Sequence, residues 1–341
     1  MRKVSTAAVL FAAASTMLAG STTFAPALSK EITLRFAYFG GAKNHSWVNA
    51  MVPWYKRINK EAKGILKIDP YPGGTLMRNP RAQVKAITDG VIDIGFVVFS
   101  YTPGRFPDNN VLELPTLYKD LNESGRVIRA LYNKGMLRGY DKFYVPLLVT
   151  TYPYTFHFTK PVKKIADMKG LKIRAGGPVA GAAIRALGAA PVGMPIPTVA
   201  ENISKGVLDG AATDWNVLTS FRIDQVAKHH YMQLFSTVPI GILMTKKRLN
   251  SLPKKAQEII KKHSGRVYDQ SYIDVNMQLQ GVLLKKMQAR KDHTIVWPDK
   301  ADKAAYDKVM DGVVQKWANN DRRKKLLAAV REELKKIRAG K

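Results

Sequence analysis

Apolar and polar positions first alternate over residues 32–38, which predicts a strand, and Gly40-Gly41 ends it in a loop. Trp47, Met51, Trp54 and Ile58 then recur at helical spacing, so these aromatics are expected to face a core. Gly64 closes that helix, and an apolar run over 65–68 predicts a second strand. One local unit occurs twice: a helix over 83–88 ending at Gly90 before Val91-Ile92-Asp93-Ile94, and a helix over 199–204 ending near Gly206 before Val207-Leu208-Asp209. In each case the segment after the glycine is expected to be a strand. Further strands are expected at 144–151 and 238–245, where the chain would pass between two lobes, and at 171–173, with a helix opening at Gly176-Gly177-Pro178 and capped by Gly188. A proline-free stretch over 254–290 predicts one long helix, roughly 50 Å at 1.5 Å per residue, able to brace both lobes.

The repeated unit and the length of 341 residues point to a two-lobed α/β protein. The expected division puts 28–150 and about 238–275 in the first lobe, about 151–237 and 276–341 in the second, and a ligand cleft between them. Arg2 and Lys3 precede an apolar run, and Ala25-Pro26-Ala27 offers a small-residue cleavage site, so residues 1–27 are expected to be a secretory signal cut near Ala27. There is no cysteine, which excludes disulfides, thiolate metal sites and a lipid anchor. The expected product is an exported, periplasmic protein that is soluble and not lipid-anchored.

Charge changes the picture in one respect. Fifty-five basic against 26 acidic residues leave +29, a field that draws anions and acidic surfaces. The basic residues are spread along the chain, with a modest concentration over 321–341, where nine basic and three acidic residues accompany an apolar stripe of Leu326, Leu327, Val330, Leu334 and Ile337. That face is either solvated or a docking surface. Binding to a nucleic acid is not favoured by so even a distribution.

Candidate chemistry is sparse. Asp167-Met-Lys-Gly-Leu-Lys-Ile-Arg174 ends a short strand with an arginine, and ligands of open α/β sheets bind beyond the carboxyl ends of strands. A guanidinium there suits a small anion, unless it pairs with an acidic side chain inside its lobe. His45, His157, His229, His230, His263 and His293 form no His-Glu-x-x-His pattern, and no nucleophile elbow, dinucleotide loop or phosphate loop is present. Asp93 and Asp209 occupy matching positions and suit turns better than acid/base catalysis. No enzyme activity, metal or cofactor is expected.

Taken together, several motifs resemble the solute receptors of tripartite ATP-independent periplasmic (TRAP) transporters. They are Gly73-Gly74-Thr75-Leu76, Gly90 to Gly95, Tyr101-Thr-Pro-Gly-Arg-Phe-Pro107, Glu113-Leu-Pro115, the segment ending in Arg174, Ala186 to Pro191, and Gly206 to Gly210. The resemblance implies a two-lobed periplasmic binding protein fold, closure over one organic anion, and delivery to a pair of membrane subunits. It also implies that Arg174 pairs with the ligand carboxylate. Where many relatives carry a second arginine this chain has Phe156, which argues against dicarboxylates. After Asp209-Gly210 it has Thr213, Asp214 and Trp215 in place of an amide pair. Tyr38, Phe39, Phe99, Tyr101, Tyr152 and Tyr154, from strand ends, complete the expected binding set and give the cleft an aromatic character suited to a monocarboxylate. Two other readings remain: a secreted binder of polyanions, and a ligand-sensing partner of a membrane signalling protein.

Overall fold

Short apolar runs separated by glycine-closed helices fold into two sheets in the computed structural model, which describes residues 31–340. The expected signal segment and its cleavage site lie outside the described residues. Along the chain the strands are β1 (Ile32–Ala37), β2 (Leu66–Tyr71), β3 (Ile94–Val98), β4 (Phe143–Thr150), β5 (Thr155–Phe158), β6 (Lys172–Ala175), β7 (Ala190–Gly193), β8 (Gly210–Thr213), β9 (His229–Tyr231), β10 (Pro239–Thr245) and β11 (Thr294–Val296). The helices are α1 (Val52–Glu61), α2 (Gln83–Thr88), α3 (Leu121–Asn133), α4 (Pro178–Ala186), α5 (Val199–Ser204), α6 (Trp215–Ser220), α7 (Lys246–Asn250), α8 (Lys254–Lys262), α9 (Arg266–Gln288), α10 (Lys300–Trp317) and α11 (Asp321–Arg338). One sheet has the order β2-β1-β3-β10-β4 and the other β11-β9-β5-β8-β6-β7. Each sheet is the core of one lobe.

The chain passes between the sheets from β4 to β5 and back from β9 to β10. These crossing segments are tied together: Thr151 N donates to Val238 O at 2.9 Å, and Tyr154 N to Ser236 O at 2.8 Å. β10 lies antiparallel to both β3 and β4, so the returning strand is locked into the middle of the first sheet.

The twice-occurring unit differs from the expected strand in the same way in both lobes. Gly90 and Gly206 adopt φ of 74° and 69°, and the next residues turn back onto the helix they follow. Val91 and Ile92 N–H reach Ala86 O, and Val207 and Leu208 N–H reach Asn202 O. Ile92 and Leu208 plug the core, while Val91 and Val207 stay exposed. The aspartates then serve the neighbouring strand: Asp93 accepts Arg35 N at 2.8 Å and Asp209 accepts Lys172 N at 2.7 Å. Both therefore act in turns, and each strand starts only afterwards, at Ile94 and Gly210.

The long helix expected over 254–290 is broken at Gly265. Its φ of 68° ends the helical path, and its N–H is drawn to Pro146 O at 2.8 Å. The remaining helix α9 has 23 residues, about 35 Å at 1.5 Å per residue. Near its start Asp269 meets Arg129 of α3, with Arg129 Nη2 to Asp269 Oδ1 at 2.9 Å, and the same oxygen accepts Leu148 N from β4 at 2.9 Å. Further along, Asn276 and Gln280 reach α6 of the second lobe. Gly281 is absorbed within the helix.

The carboxy-terminal helix α11, expected with the second lobe, packs on α3 of the first. Its stripe of Leu326, Leu327, Val330 and Leu334 joins the core containing Val127 and Leu131. Ion pairs Arg338–Glu123, Glu333–Lys134 and Arg322–Asp108 flank that contact, so part of its charge is spent within the chain.

The Arg129–Asp269 pair is almost wholly withdrawn from water, at 8% and 5% side-chain exposure. Asp269→Ala would leave a buried guanidinium unpaired and Leu148 N–H without its acceptor. Urea denaturation should show a loss of about 3–5 kcal/mol.

Candidate ligand-binding site

Strand polarity brings the carboxyl ends of β1, β3, β6 and β8 to the gap between the lobes, and a cavity lies there. Its space is about 60 Å³ by the measure in which one water needs roughly 10–15 Å³. Tyr38, Phe39, Phe96 and Val98 line it from the first lobe, Asp214, Asn216, Val217 and Phe221 from the second, Thr151, Tyr152, Tyr154 and Val238 from the crossing segments, and Tyr272, Asn276 and Gln280 from α9. Tyr38 stacks on Trp47 at 4.9 Å and meets Phe96 edge-on at 5.3 Å, which fixes the aromatic wall from behind.

Arg174, at the end of β6, is 1% exposed and makes no ion pair among the described residues. Its Nε donates to Met194 O at 3.1 Å, Nη1 to Ala212 O at 3.4 Å, and Nη2 to the Tyr101 hydroxyl at 3.1 Å. Of the five guanidinium N–H groups, these contacts use three. Arg174 is not among the cavity-lining residues, but Tyr101 is. The Tyr101 oxygen also accepts Ile196 N at 3.0 Å. Two donors occupy its two lone pairs, and no described residue takes the phenolic proton. The arginine's charge thus reaches the cavity through a hydroxyl that still has a bond to give.

The other polar groups of the cavity are largely spent on one another. Ser46 Oγ donates to Asn276 Oδ1 at 2.8 Å, and Asn216 Nδ2 donates to Ser46 Oγ at 2.6 Å and Asn276 Oδ1 at 2.9 Å. This clasp joins the first lobe, α9 and the second lobe. Asp214 caps α6 by accepting Val217 N at 2.8 Å, and burial pushes its pKa up to about 6 against the pull of that bond and of Gln280.

Of the expected site residues, the structure brings Tyr38, Phe39, Tyr101, Tyr152, Tyr154 and Asp214 to the cavity, with Arg174 behind Tyr101. Phe99 turns away. A 3-10 turn over Phe99–Tyr101 follows β3, and its three-residue period sends Phe99 into the core against Phe106 at 4.7 Å while Tyr101 faces the cleft. Phe156 lies one step inside the second sheet, against Phe235 at 4.8 Å. Thr213 is wholly buried. With Asp214 aimed back at Val217, Trp215 is swung off the cleft and onto His157 and His230, at ring distances of 5.1 and 4.8 Å. An amide does reach the cavity, from Asn216, one residue beyond the expected Thr213, Asp214 and Trp215. Tyr272, Asn276 and Gln280 were not expected, although their spacing of four residues on one helix face was a usable signal.

A match to the bacterial extracellular solute-binding proteins, family 7, runs over residues 36–321. The chain belongs to that family. This family comprises transport receptors, not enzymes. A curated solute-binding protein of Albidiferax ferrireducens is 26% identical over 219 residues, 60% of this chain and 61% of its own length. Among solved structures, a marine-metagenome TRAP solute-binding protein specific for aromatic acid ligands, in complex with metahydroxyphenylacetate, is 26% identical with a TM-score of 0.83, over 90% of this chain and 99% of that one. A TRAP solute-binding protein from Rhodoferax ferrireducens T118, with copurified benzoate, is 26% identical with a TM-score of 0.84, over 89% and 98% of the two chains. No helix among the receptor's described residues is long and apolar enough to cross a membrane.

Beneath the receptor's α6 lies a chain of three histidines. His157 Nε2 reaches Thr213 O at 3.0 Å, His157 Nδ1 meets His230 Nδ1 at 2.8 Å, and His230 Nε2 meets His293 Nδ1 at 2.8 Å. A carbonyl can only accept, so His157 carries its proton on Nε2, and each later ring donates inward from Nδ1. The order works only if His157 and His230 are neutral, since each must accept on one ring nitrogen. Burial pushes His157 down to about 4 and His230 lower still. The unfolded pKa is near 6.5, so these rings leave stability unchanged above that pH and subtract from it as pH falls toward 4. Proton NMR should find the His157 Cε1–H shift unmoved between pH 7 and pH 5, and a midpoint above 6 would contradict the neutral chain.

Proposed function

We propose that this protein is the periplasmic receptor of a TRAP transporter that captures an aromatic monocarboxylate and delivers it to the membrane subunits. The observation that carries the reading is the buried Arg174, which has no acidic partner among the described residues and which bears on the cavity through the uncommitted proton of Tyr101. A cation withdrawn from water in this way costs several kcal/mol unless an anion joins it, and a ligand carboxylate supplies one. One ligand oxygen takes the Tyr101 proton, with Arg174 behind that hydroxyl supplying the opposite charge, while the ring lies among Tyr38, Phe39, Phe96 and Phe221. Closure excludes water and strengthens the charge pairing, so the ligand stabilises the closed form.

Substrate class follows from what the cavity lacks. No cation among the described residues lines it, Arg174 standing behind Tyr101, and its clasp residues are already bonded to one another, so a second carboxylate would be buried without a partner. The aromatic acids bound by two similar receptors agree with this choice. The basic and apolar residues at the start of the sequence favour export through a cleaved signal.

A thermal-shift screen of the refolded mature protein against benzoate, 3-hydroxybenzoate, mandelate, 2-oxoacids and succinate tests the reading. Aromatic monocarboxylates should raise the melting temperature by several degrees, and succinate should not. Titration calorimetry should show Arg174→Ala weakening binding by at least ~2 kcal/mol, and Tyr101→Phe by about 1.5–3 kcal/mol, the range for a hydrogen bond to a charged group. Wild-type affinity in Arg174→Ala would overturn the anchor. Tight binding of polyanions alone, with a steep salt dependence, would favour the polyanion reading.

A further inference from the structure

Glu113 is an acidic residue without a cation. It ends a turn over Pro107–Glu113 of the first lobe, is 0% exposed, and makes no ion pair among the described residues. Ser100, also of the first lobe, donates its hydroxyl to Glu113 Oε1 at 2.6 Å. The rest of the carboxylate's surroundings belong to the second lobe. The N–H groups of Val179 and Ala180, in the first turn of α4, face it. Its other oxygen lies over Gly177, where a Cβ would fall 2.4 Å from Oε2 and 2.9 Å from Ser100 Cβ. Gly177 has φ of −165°, ordinary extended backbone, so the glycine is needed there for space and not for conformation.

The free amide groups of a helix N-terminus carry a partial positive charge and complement a carboxylate. The donors facing Glu113 are the Ser100 hydroxyl and the N–H groups of Val179 and Ala180, while Oε2 closes no hydrogen bond within the normal limit. Burial pushes its pKa up to about 7 even though these donors pull against the rise. The same turn is pinned to the crossing segment, since Ser236 Oγ donates to Glu113 O at 2.6 Å. A first-lobe carboxylate is therefore held out from the hinge and seated on a second-lobe helix.

We propose that Glu113 is a latch that holds the lobes closed, with Gly177 as the socket that admits it. The inference rests on the reading of the protein as a receptor that closes, but it does not depend on which acid is bound. Opening the cleft withdraws the carboxylate from α4 and gives it back to water. Closing it buries the charge against the helix. The latch lies outside the cavity, so it sets the balance between open and closed forms without touching ligand.

The chain has no cysteine, which makes the test direct. Val91→Cys and Val207→Cys, exposed in the matching turns of the two lobes, carry a dye pair for single-molecule energy transfer in ligand-free protein. Gly177→Ala, which fills the socket, and Glu113→Gln, which removes the charge, should each raise the open-to-closed ratio by roughly tenfold. Ser100→Ala should shift it the same way by less. The combination of Gly177→Ala with Glu113→Gln should do no more than either alone, because both remove one contact. Circular dichroism and urea melts keep a folding defect apart from a shift of the lobes. A wild-type protein already open, a distribution that Gly177→Ala leaves in place, or additive effects would each overturn the latch. Failure of the acid screen with a shifted distribution would instead count against the aromatic ligand alone.

Discussion

The cleft is organised around a positive charge that the chain itself leaves unmatched. Arg174 is delivered to the end of β6 and held by two carbonyls and a phenol, all neutral. Neutral acceptors orient a guanidinium but do not cancel its charge. Proteins seldom leave such a group buried without reason, since the desolvation penalty is not recovered from dipoles alone. The two lobes, the crossing segments and the aromatic wall enclose the cavity that this charge borders through Tyr101.

Polar groups in the cavity divide into two kinds by their hydrogen-bond inventories. Ser46, Asn216 and Asn276 satisfy one another across the lobes, so they report closure more than ligand identity. Tyr101 accepts two bonds and retains a proton, so it faces outward in a chemical sense. Asp214 lies at the cavity edge, yet its carboxylate is committed to the cap of α6. Proximity to a cavity and availability to a ligand are thus different properties, and counting donors and acceptors separates them.

The large positive charge has a partial structural account. Arg35 and Arg248 serve Asp93, Arg138 and Arg322 serve Asp108, and Arg338 serves Glu123, each pair fastening segments distant in sequence. In each bridge the carboxylate is buried and the arginine partly exposed, and most lysines lie on the surface beyond them. The excess acts as a long-range field that favours encounter with small anions.

The sequence by itself determined the α/β class, the two lobes, the turn role of Asp93 and Asp209, and the candidacy of Arg174, because each is written in local periodicity, glycine placement or a contiguous motif. It also carried half of the aromatic wall, since strand ends are legible wherever alternation stops. Only the tertiary structure decided which of two neighbouring aromatics faces the cavity. A 3-10 turn separated Tyr101 from Phe99, and the cap made by Asp214 swung Trp215 onto the histidines. It decided too that α11 belongs with the first lobe, and that a helix legible over 254–290 breaks where Pro146 O captures Gly265 N–H. The last two outcomes depend on partners more than a hundred residues away. Local pattern fixes which face of an element is apolar; the identity of the surface that covers it is a property of the assembled chain.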